Sequence, residues 1–337
     1  MKRVSIIVPC YNEEKTIALL LQAVYDQTAS HAEIEVIISD GQSQDGTRQA
    51  ISRFQQTHPD LEIRVLDNSR RNIPAALNTA LAGARGEYIV RLDAHSEPDS
   101  DYVERCLADL QAGKGAMVGG VWLIQPGSDN WIARSIAAAA AHPLGVGDAL
   151  YRFTSQAGFV DTVPFGAFRR DLLDQVGKYD ETLLTNEDYE FNTRIRQAGG
   201  KIWLDPAIRS KYYARKDLAA LARQYWRYGF WKFQMLRRYP GTLRWRQALP
   251  PLFVLSVLSI TFLAVFWDLA RLALALELLL YFGILVVGAL RVARSRQDLR
   301  YLVGVPLAIA CMHMAWGGGF LGSVVKSIFG WNPSRQP

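Results

Sequence analysis

The sequence predicts an α/β domain, with a mainly parallel sheet and helices on both faces, followed by transmembrane helices. Three observations carry that expectation. Short β-rich runs alternate with helix-forming runs over residues 4–92, the order that a parallel sheet with crossover helices requires. Three long stretches near the carboxyl end are almost free of charge. Half of the 337 residues are hydrophobic, which is ample for a core and argues against disorder.

Residues 4–8 read as the first strand, because the apolar stretch there is too short before Asn12, Glu13 and Glu14 to act as a signal peptide. A helix follows from about Glu13, a second strand at 35–39, a helix from about Thr47, a third strand at 62–66, a helix from about Ile73 and a fourth strand at 87–92. Further on, no charged residue occurs from Gln247 to Trp267, only Glu277 interrupts Leu272 to Leu290, and none occurs from Tyr301 to Val325. Each run can cross a hydrocarbon core of about 30 Å at ~1.5 Å per residue. The expected organisation is a cytoplasmic α/β domain at 1–215, a basic aromatic interface segment at 216–247, and a membrane domain at 248–337 with helices at 248–267, 271–290 and 301–325. Gly317, Gly318 and Gly319 permit either close packing of a third span or a break in it, so a re-entrant segment stays open.

The net charge of +6 hides an asymmetry, since residues 209–246 hold eleven Lys or Arg and one acid, Asp217. Tyr225, Trp226, Tyr228 and Trp231 interleave with that charge, which suits an anionic lipid headgroup boundary; nucleic acid is the reading weighed against it, and the expected partner is the bilayer, with no nucleic acid. The loop from Arg291 to Arg300 carries four arginines and one acid, so the positive-inside rule sets it, the basic block and the amino-terminal domain on the cytoplasmic side of an inner membrane. Cys10, Cys106 and Cys311 have no metal-ligand spacing and form no disulfide framework.

Chemistry gathers at the carboxyl ends of the expected strands, where open α/β sheets bind ligands. After strand one, Pro9, Cys10, Tyr11, Asn12, Glu13 and Glu14 offer a ring on which a base can stack, with Asn12 as a cap for the next helix. After strand two, Asp40 can accept hydrogen bonds from a base or ribose, and Gly41 and Gly46 allow a tight turn. Arg70, Arg71 and Asn72 follow strand three, where an arginine can meet a phosphate. Asp93 and His95, two apart on strand four, point the same way and can share a divalent cation; the imidazole favours manganese over calcium and leaves magnesium open. No Gly-rich phosphate loop of either common type occurs. His142, a lone histidine, reads as hydrogen-bonded rather than as a ligand.

The series Pro9 to Glu14, Asp40-Gly41-Gln42-Ser43-Gln44-Asp45-Gly46-Thr47, Asp93-Ala94-His95 and Glu187-Asp188 resembles the family 2 inverting glycosyltransferases of GT-A fold over residues 1–232. The Asp-Ala-His variant, the run from Val163 to Arg170 and the trailing apolar segments resemble the ExoA-type succinoglycan-biosynthesis glucosyltransferases within it. The resemblance implies a nucleotide-sugar donor, commonly UDP-linked, and a growing polyprenyl-linked glycan as acceptor. It further implies a divalent metal on the donor diphosphate, with Asp93 and His95 as its ligands. Pro9, Tyr11, Asn12, Glu13, Asp40, Arg71 and Asp93 would then line the donor site. Asp188 becomes the general base and Glu187 its acceptor-side or structural partner; adjacent helical residues diverge by about 100°, so the two are expected not to share one role. Phe165 and Gly166 would shape the acceptor side. Gln224, Arg227 and Tyr228 match the Gln-x-x-Arg-Trp spacing of processive relatives, with Tyr in place of Trp, and would touch acceptor or diphosphate. Two rival readings are a polyprenyl-phosphate glycosyltransferase and a non-catalytic nucleotide-binding membrane scaffold.

Overall fold

The computed structural model describes residues 3–330, and the chain divides into two compact units. The first unit comprises Met1–Leu123 and Leu150–Tyr212. Its elements are β1 (Val4–Cys10), α1 (Ile17–Tyr25), β2 (Ile34–Asp40), α2 (Thr47–Thr57), β3 (Glu62–Asp67), α3 (Ile73–Gly83), β4 (Tyr88–Arg91), β5 (Glu97–Pro98), α4 (Tyr102–Gln111) and β6 (Met117–Gln125). After an excursion come β7 (Gly158–Val160), β8 (Ala167–Arg169), α7 (Leu172–Val176), α8 (Glu187–Gln197) and β9 (Ile202–Tyr213).

The sheet runs β3-β2-β1-β4-β8-β6-β9-β5, with β7 on β9. Strands β3, β2, β1 and β4 are parallel, in register Ile6 with Val36 and with Val90. The pairs β4–β8, β8–β6, β9–β5 and β9–β7 are antiparallel, so the parallel half expected from the alternation continues into a mixed sheet. Alternation along β1 sorts the core onto both faces. Val4, Ile6 and Val8 pack with Ile17, Leu20 and Val24 of α1 and Val103 of α4, whereas Ile7 and Ile37 pack with Leu77 and Leu81 of α3 and Phe191 of α8.

One buried carboxylate secures the amino-terminal end of this parallel half. Glu35 is fully buried and accepts from Ser5 Oγ at 2.6 Å, Arg85 N at 2.7 Å and Arg64 Nη2 at 2.8 Å. Burial alone would raise its pKa, but these donors bring it down to about 2. Replacing Glu35 with Leu is expected to cost about 1–3 kcal/mol in denaturant unfolding, by orphaning Ser5 and the Arg85 amide. Since the folded pKa is depressed, the wild-type contribution is complete above pH ~4.3 and fades as pH falls toward 2, a window that acid melts of the two proteins will bracket.

The second unit comprises Ile124–Ala149 and Tyr213–Pro337. It contains α5 (Trp131–Ala140), α6 (Pro143–Val146), α9 (Leu218–Arg238), α10 (Trp245–Ala264), α11 (Asp268–Arg296) and α12 (Tyr301–Ile328). The expected unbroken domain at 1–215 is therefore corrected: residues 124–149 leave it, because the Ala-rich face of α5 is buried on the carboxyl-terminal helices. Helices α10, α11 and α12 are each long and apolar enough to cross a membrane; α11 and α12 extend beyond the stretches expected from charge alone, and α10 lies three residues earlier than expected. Residues 331–337 of the expected membrane domain lie outside the described residues.

Only 11% of the apolar window of α10 and of α11 is buried within the protein, against 56% for α12. α12 is continuous, and its glycines serve close packing rather than a break. A Cβ on Gly319 would stand 2.2 Å from Trp226 O, and one on Gly229 would stand 2.0 Å from Trp316 O, so the backbones of α9 and α12 meet at these positions.

Candidate active site

The loops after β1 and β2 are stitched into one surface. Asn12 N donates to Ser43 Oγ at 2.8 Å, Gln44 N to Asn12 Oδ1 at 2.8 Å, and Glu13 N to Thr47 Oγ1 at 2.8 Å. Asn12 thus ties loop to loop instead of capping α1, whose N-cap is Thr16; a left-handed backbone at Asn12, φ 55°, turns its side chain to that task. Tyr11 is exposed beside the turn at Gly41, where a Cβ would stand 3.2 Å from the ring edge. Pro9 sits within β1, paired in register with Ser39. Arg71 Nη2 donates to Gln42 Oε1 at 2.9 Å, which brings the third loop to the second.

Asp40 departs from expectation. Its side chain is fully buried and accepts from Ser43 Oγ and from Arg48 Nε, each at 2.5 Å, with Ser43 N also within reach. It anchors the second loop from beneath rather than standing open to a base or ribose.

At the end of β4, sequence reasoning gave no role to Arg91, yet this buried guanidinium is the hub of the site. Its Nη2 reaches Asp93 Oδ1 at 3.1 Å and Glu187 Oε1 at 3.0 Å, while its Nη1 contacts Asp188 Oδ1. Glu187 and Asp188 share Arg91 as an ion-pair partner, its planar fork spanning the divergence of adjacent helical residues. Burial works against the charge of Arg91, but Asp188, Asp93 and Glu187 hold its pKa well above the usual value. Burial likewise pushes the Asp188 carboxyl up to about 7, against the pull of Arg91 and with the help of Glu187 and Asp93. Both acids open α8, where the helix dipole favours negative charge, while the third acid of that turn, Glu190, is spent on Arg194 at 2.6 Å.

Asp93 and His95 do not lie on a strand, since β4 ends at Arg91. Ser96 N and Ser96 Oγ both donate to Asp93 O, at 2.9 and 2.7 Å, and close a turn that carries the two side chains. His95 Nδ1 lies 3.0 Å from Glu13 Oε1, a carboxylate behind an imidazole, which is the arrangement that orients metal-ligating histidines. With the Asp93 carboxylate this donor set fits a divalent ion of the manganese or magnesium kind. Among the described residues no group of three or more His, Cys, Asp or Glu side chains forms a closed metal site, so further ligand oxygens would have to come from a bound molecule.

Phe165 and Gly166, expected to shape the acceptor side, are buried. Phe165 O accepts from Tyr102 Oη at 2.8 Å, Gly166 O accepts from Arg91 N at 3.2 Å, and a Cβ on Gly166 would stand 2.1 Å from Met117 Sδ. They hold Arg91 in place from behind. Gln224, Arg227 and Tyr228 lie on α9 in the second unit, where Gln224 Nε2 donates to Tyr228 Oη at 2.8 Å, one helical turn on. Six non-glycine residues among those described have left-handed backbones, and five of them, Asn12, Gln42, Arg71, Phe165 and Asn186, belong to these loops.

The glycosyl transferase family 2 profile matches residues 5–177. Along nearly its whole length the chain is similar to two curated proteins. It is 30% identical over 325 residues to the succinoglycan biosynthesis protein ExoA of Rhizobium meliloti (strain 1021), covering 94% of this chain and 93% of that one. It is 26% identical over 332 residues to the dolichyl N-acetyl-α-D-glucosaminyl phosphate 3-β-D-2,3-diacetamido-2,3-dideoxy-β-D-glucuronosyltransferase of Methanococcus voltae, covering 97% and 98%. Among solved structures, the mannosyltransferase PcManGT from Pyrobaculum calidifontis, in complex with GDP-Man and Mn2+, shares the fold with a TM-score of 0.63 at 22% identity, over 91% of this chain and 87% of that one. The profile match over half of the chain and the ExoA similarity end to end agree with the loop motifs: the chain belongs to glycosyltransferase family 2, with a GT-A fold.

Proposed function

We propose that this enzyme is a multi-pass inner-membrane, inverting glycosyltransferase that extends a polyprenyl-linked glycan in exopolysaccharide biosynthesis. The donor is a UDP-sugar, with glucose as the sugar, and the catalytic domain is cytoplasmic. The observation that carries the catalytic reading is the placement of the Asp188 carboxyl in the first turn of α8 against the buried Arg91 guanidinium, where burial raises its pKa to about 7. A group with that pKa is half ionised near neutrality, where a general base is most effective. The acceptor hydroxyl gives its proton to Asp188 as its oxygen bonds to the anomeric carbon. The bond from that carbon to the diphosphate oxygen breaks on the opposite face, and its electron pair leaves with the nucleoside diphosphate.

Tyr11 offers its exposed ring to the base, and Glu13 orients His95. Asp93 and His95 would hold a divalent metal, which when bound supplies charge neutralisation for the leaving diphosphate. A lipid-linked glycan acceptor is supported by full-length similarity to two proteins, one named for a dolichyl-phosphate-linked N-acetylglucosamine and the other for succinoglycan biosynthesis. An amphipathic, basic α9 and the apolar exteriors of α10 and α11 suit work at a bilayer.

The test is a screen of radiolabelled sugar nucleotides, UDP-glucose first, on purified enzyme in detergent with polyprenyl-diphosphate saccharide or polyprenyl phosphate. Label is expected in the saccharide-bearing lipid alone. EDTA is expected to abolish transfer and manganese to restore it. Transfer to polyprenyl phosphate alone would overturn the acceptor assignment, and undiminished turnover in EDTA would overturn the metal.

A further inference from the structure

The excursion at residues 124–149 runs alongside α12. Near the start of that helix, a Cβ on Gly304 would stand 2.1 Å from Ser135 Oγ of α5 and 3.1 Å from the Trp131 ring. Further along, a Cβ on Gly145 of α6 would meet Met312 Cε at 3.1 Å, and one on Gly288 of α11 would meet Leu144 Cδ1 at 2.6 Å. The contacts therefore move down α12 in step with the excursion, from Gly304 to Met312. His313 lies twelve residues past Tyr301, or roughly 18 Å along the helix axis. That is well inside a helix of 28 residues which is long and apolar enough to span a bilayer.

The backbone at the tip of the excursion is matched to such a depth. His313 Nε2 is 2.9 Å from Leu144 O, and His313 Nδ1 is 2.9 Å from Tyr281 Oη of α11. A carbonyl only accepts, so Nε2 carries the proton and Nδ1 receives the tyrosine hydroxyl. His142 Nδ1 meanwhile accepts from Leu144 N at 3.1 Å. Both backbone groups of Leu144, left without intrahelical partners in the single turn of α6, are thus satisfied by side chains, which backbone in hydrocarbon requires and water does not. The Leu144 side chain itself stays 37% exposed beside these groups.

From this we infer that residues 131–146 dip into the bilayer as a re-entrant hairpin, with Leu144 in the hydrocarbon and the Tyr281–His313 pair holding its tip. The inference rests on the proposed membrane insertion of α10 to α12. It assigns a lipid contact to a segment that interrupts the catalytic domain between β6 and β7. Polar side chains inside a span are costly, and this pair offsets that cost by serving the hairpin.

Single cysteines carrying the NBD fluorophore test it in reconstituted full-length protein. The background is Cys311→Ser, because Cys10 and Cys106 are buried. Leu144→Cys is expected to be quenched by nitroxide-bearing lipids and protected from aqueous iodide, like Leu258→Cys on the outward face of α10 and unlike Phe159→Cys on β7. If position 258 is in lipid while iodide reaches position 144, the hairpin is overturned and the membrane reading stands. If iodide reaches position 258 as well, both fall. Adding His313→Leu should abolish the protection of position 144, whereas His313→Gln, which keeps a donor, should preserve it. Protection that survives His313→Leu would overturn the holding role of the pair.

Discussion

Asp188→Asn is expected to lower kcat by about 10²–10⁴-fold with donor KM little changed. The amide keeps the size of the carboxyl and a contact for Arg91, but it cannot accept the proton of the attacking hydroxyl. Because the Asp188 pKa is raised to about 7, the wild-type enzyme is protonated and inactive on the acid side. Its kcat/KM should therefore rise with pH through about 7 and level off above, whereas the residual kcat/KM of the variant should lack that limb. Steady-state kinetics from pH 5.5 to about 8.5 distinguish the two. Full turnover by the Asn variant with normal donor binding would remove Asp188 from the base assignment.

Arg91→Met is expected to damage stability and catalysis together. It strips the shared cation from Asp93, Glu187 and Asp188, and breaking a buried ion-pair group in that way costs about 3–5 kcal/mol. Urea unfolding will register the loss. Whatever enzyme remains folded should show its acid limb at higher pH, because the cation that pulls the Asp188 pKa down is gone. Arg91→Lys keeps the charge but not the fork, so one ammonium cannot meet three carboxylates at once; it should recover more stability than turnover. An unchanged pH profile in Arg91→Met would mean that Arg91 is only a structural counter-ion.

Strands β1, β2 and β4 were legible because each is a short, largely apolar run closed by polar loop residues, the pattern of a strand buried on both faces, whereas β3, at the sheet edge, was legible from the alternation of Glu62, Arg64 and Leu66 with Ile63 and Val65. The position of Asp93 and His95 was legible and their geometry was not. The alternation that places residues two apart on one side of a strand ends at Arg91, where the Ser96 hydroxyl and amide turn the chain back on Asp93. Arg91 was on view throughout, but its partners Glu187 and Asp188 lie nearly a hundred residues on, and no local pattern connects them. Asn12 misled for a related reason. Its amide suits a cap or a cross-link equally, and only the approach of the second loop decides between them. Residues 124–149 read as part of the catalytic domain by position alone, since the Ala-rich face of α5 does not name the surface that covers it.

The left-handed residues of the loops have an evolutionary corollary. Each such backbone disfavours a side chain, by on the order of 1–3 kcal/mol, and glycine would relieve it. At Asn12, Gln42 and Arg71, however, glycine would delete the hydrogen bonds that join the loops after β1, β2 and β3. Relief of backbone strain and retention of the loop-to-loop bonds therefore pull these positions in opposite directions. Attempts to harden this enzyme are better directed at β5 to β9 and the helices behind them, leaving the loops that follow β1, β2 and β3 as they stand.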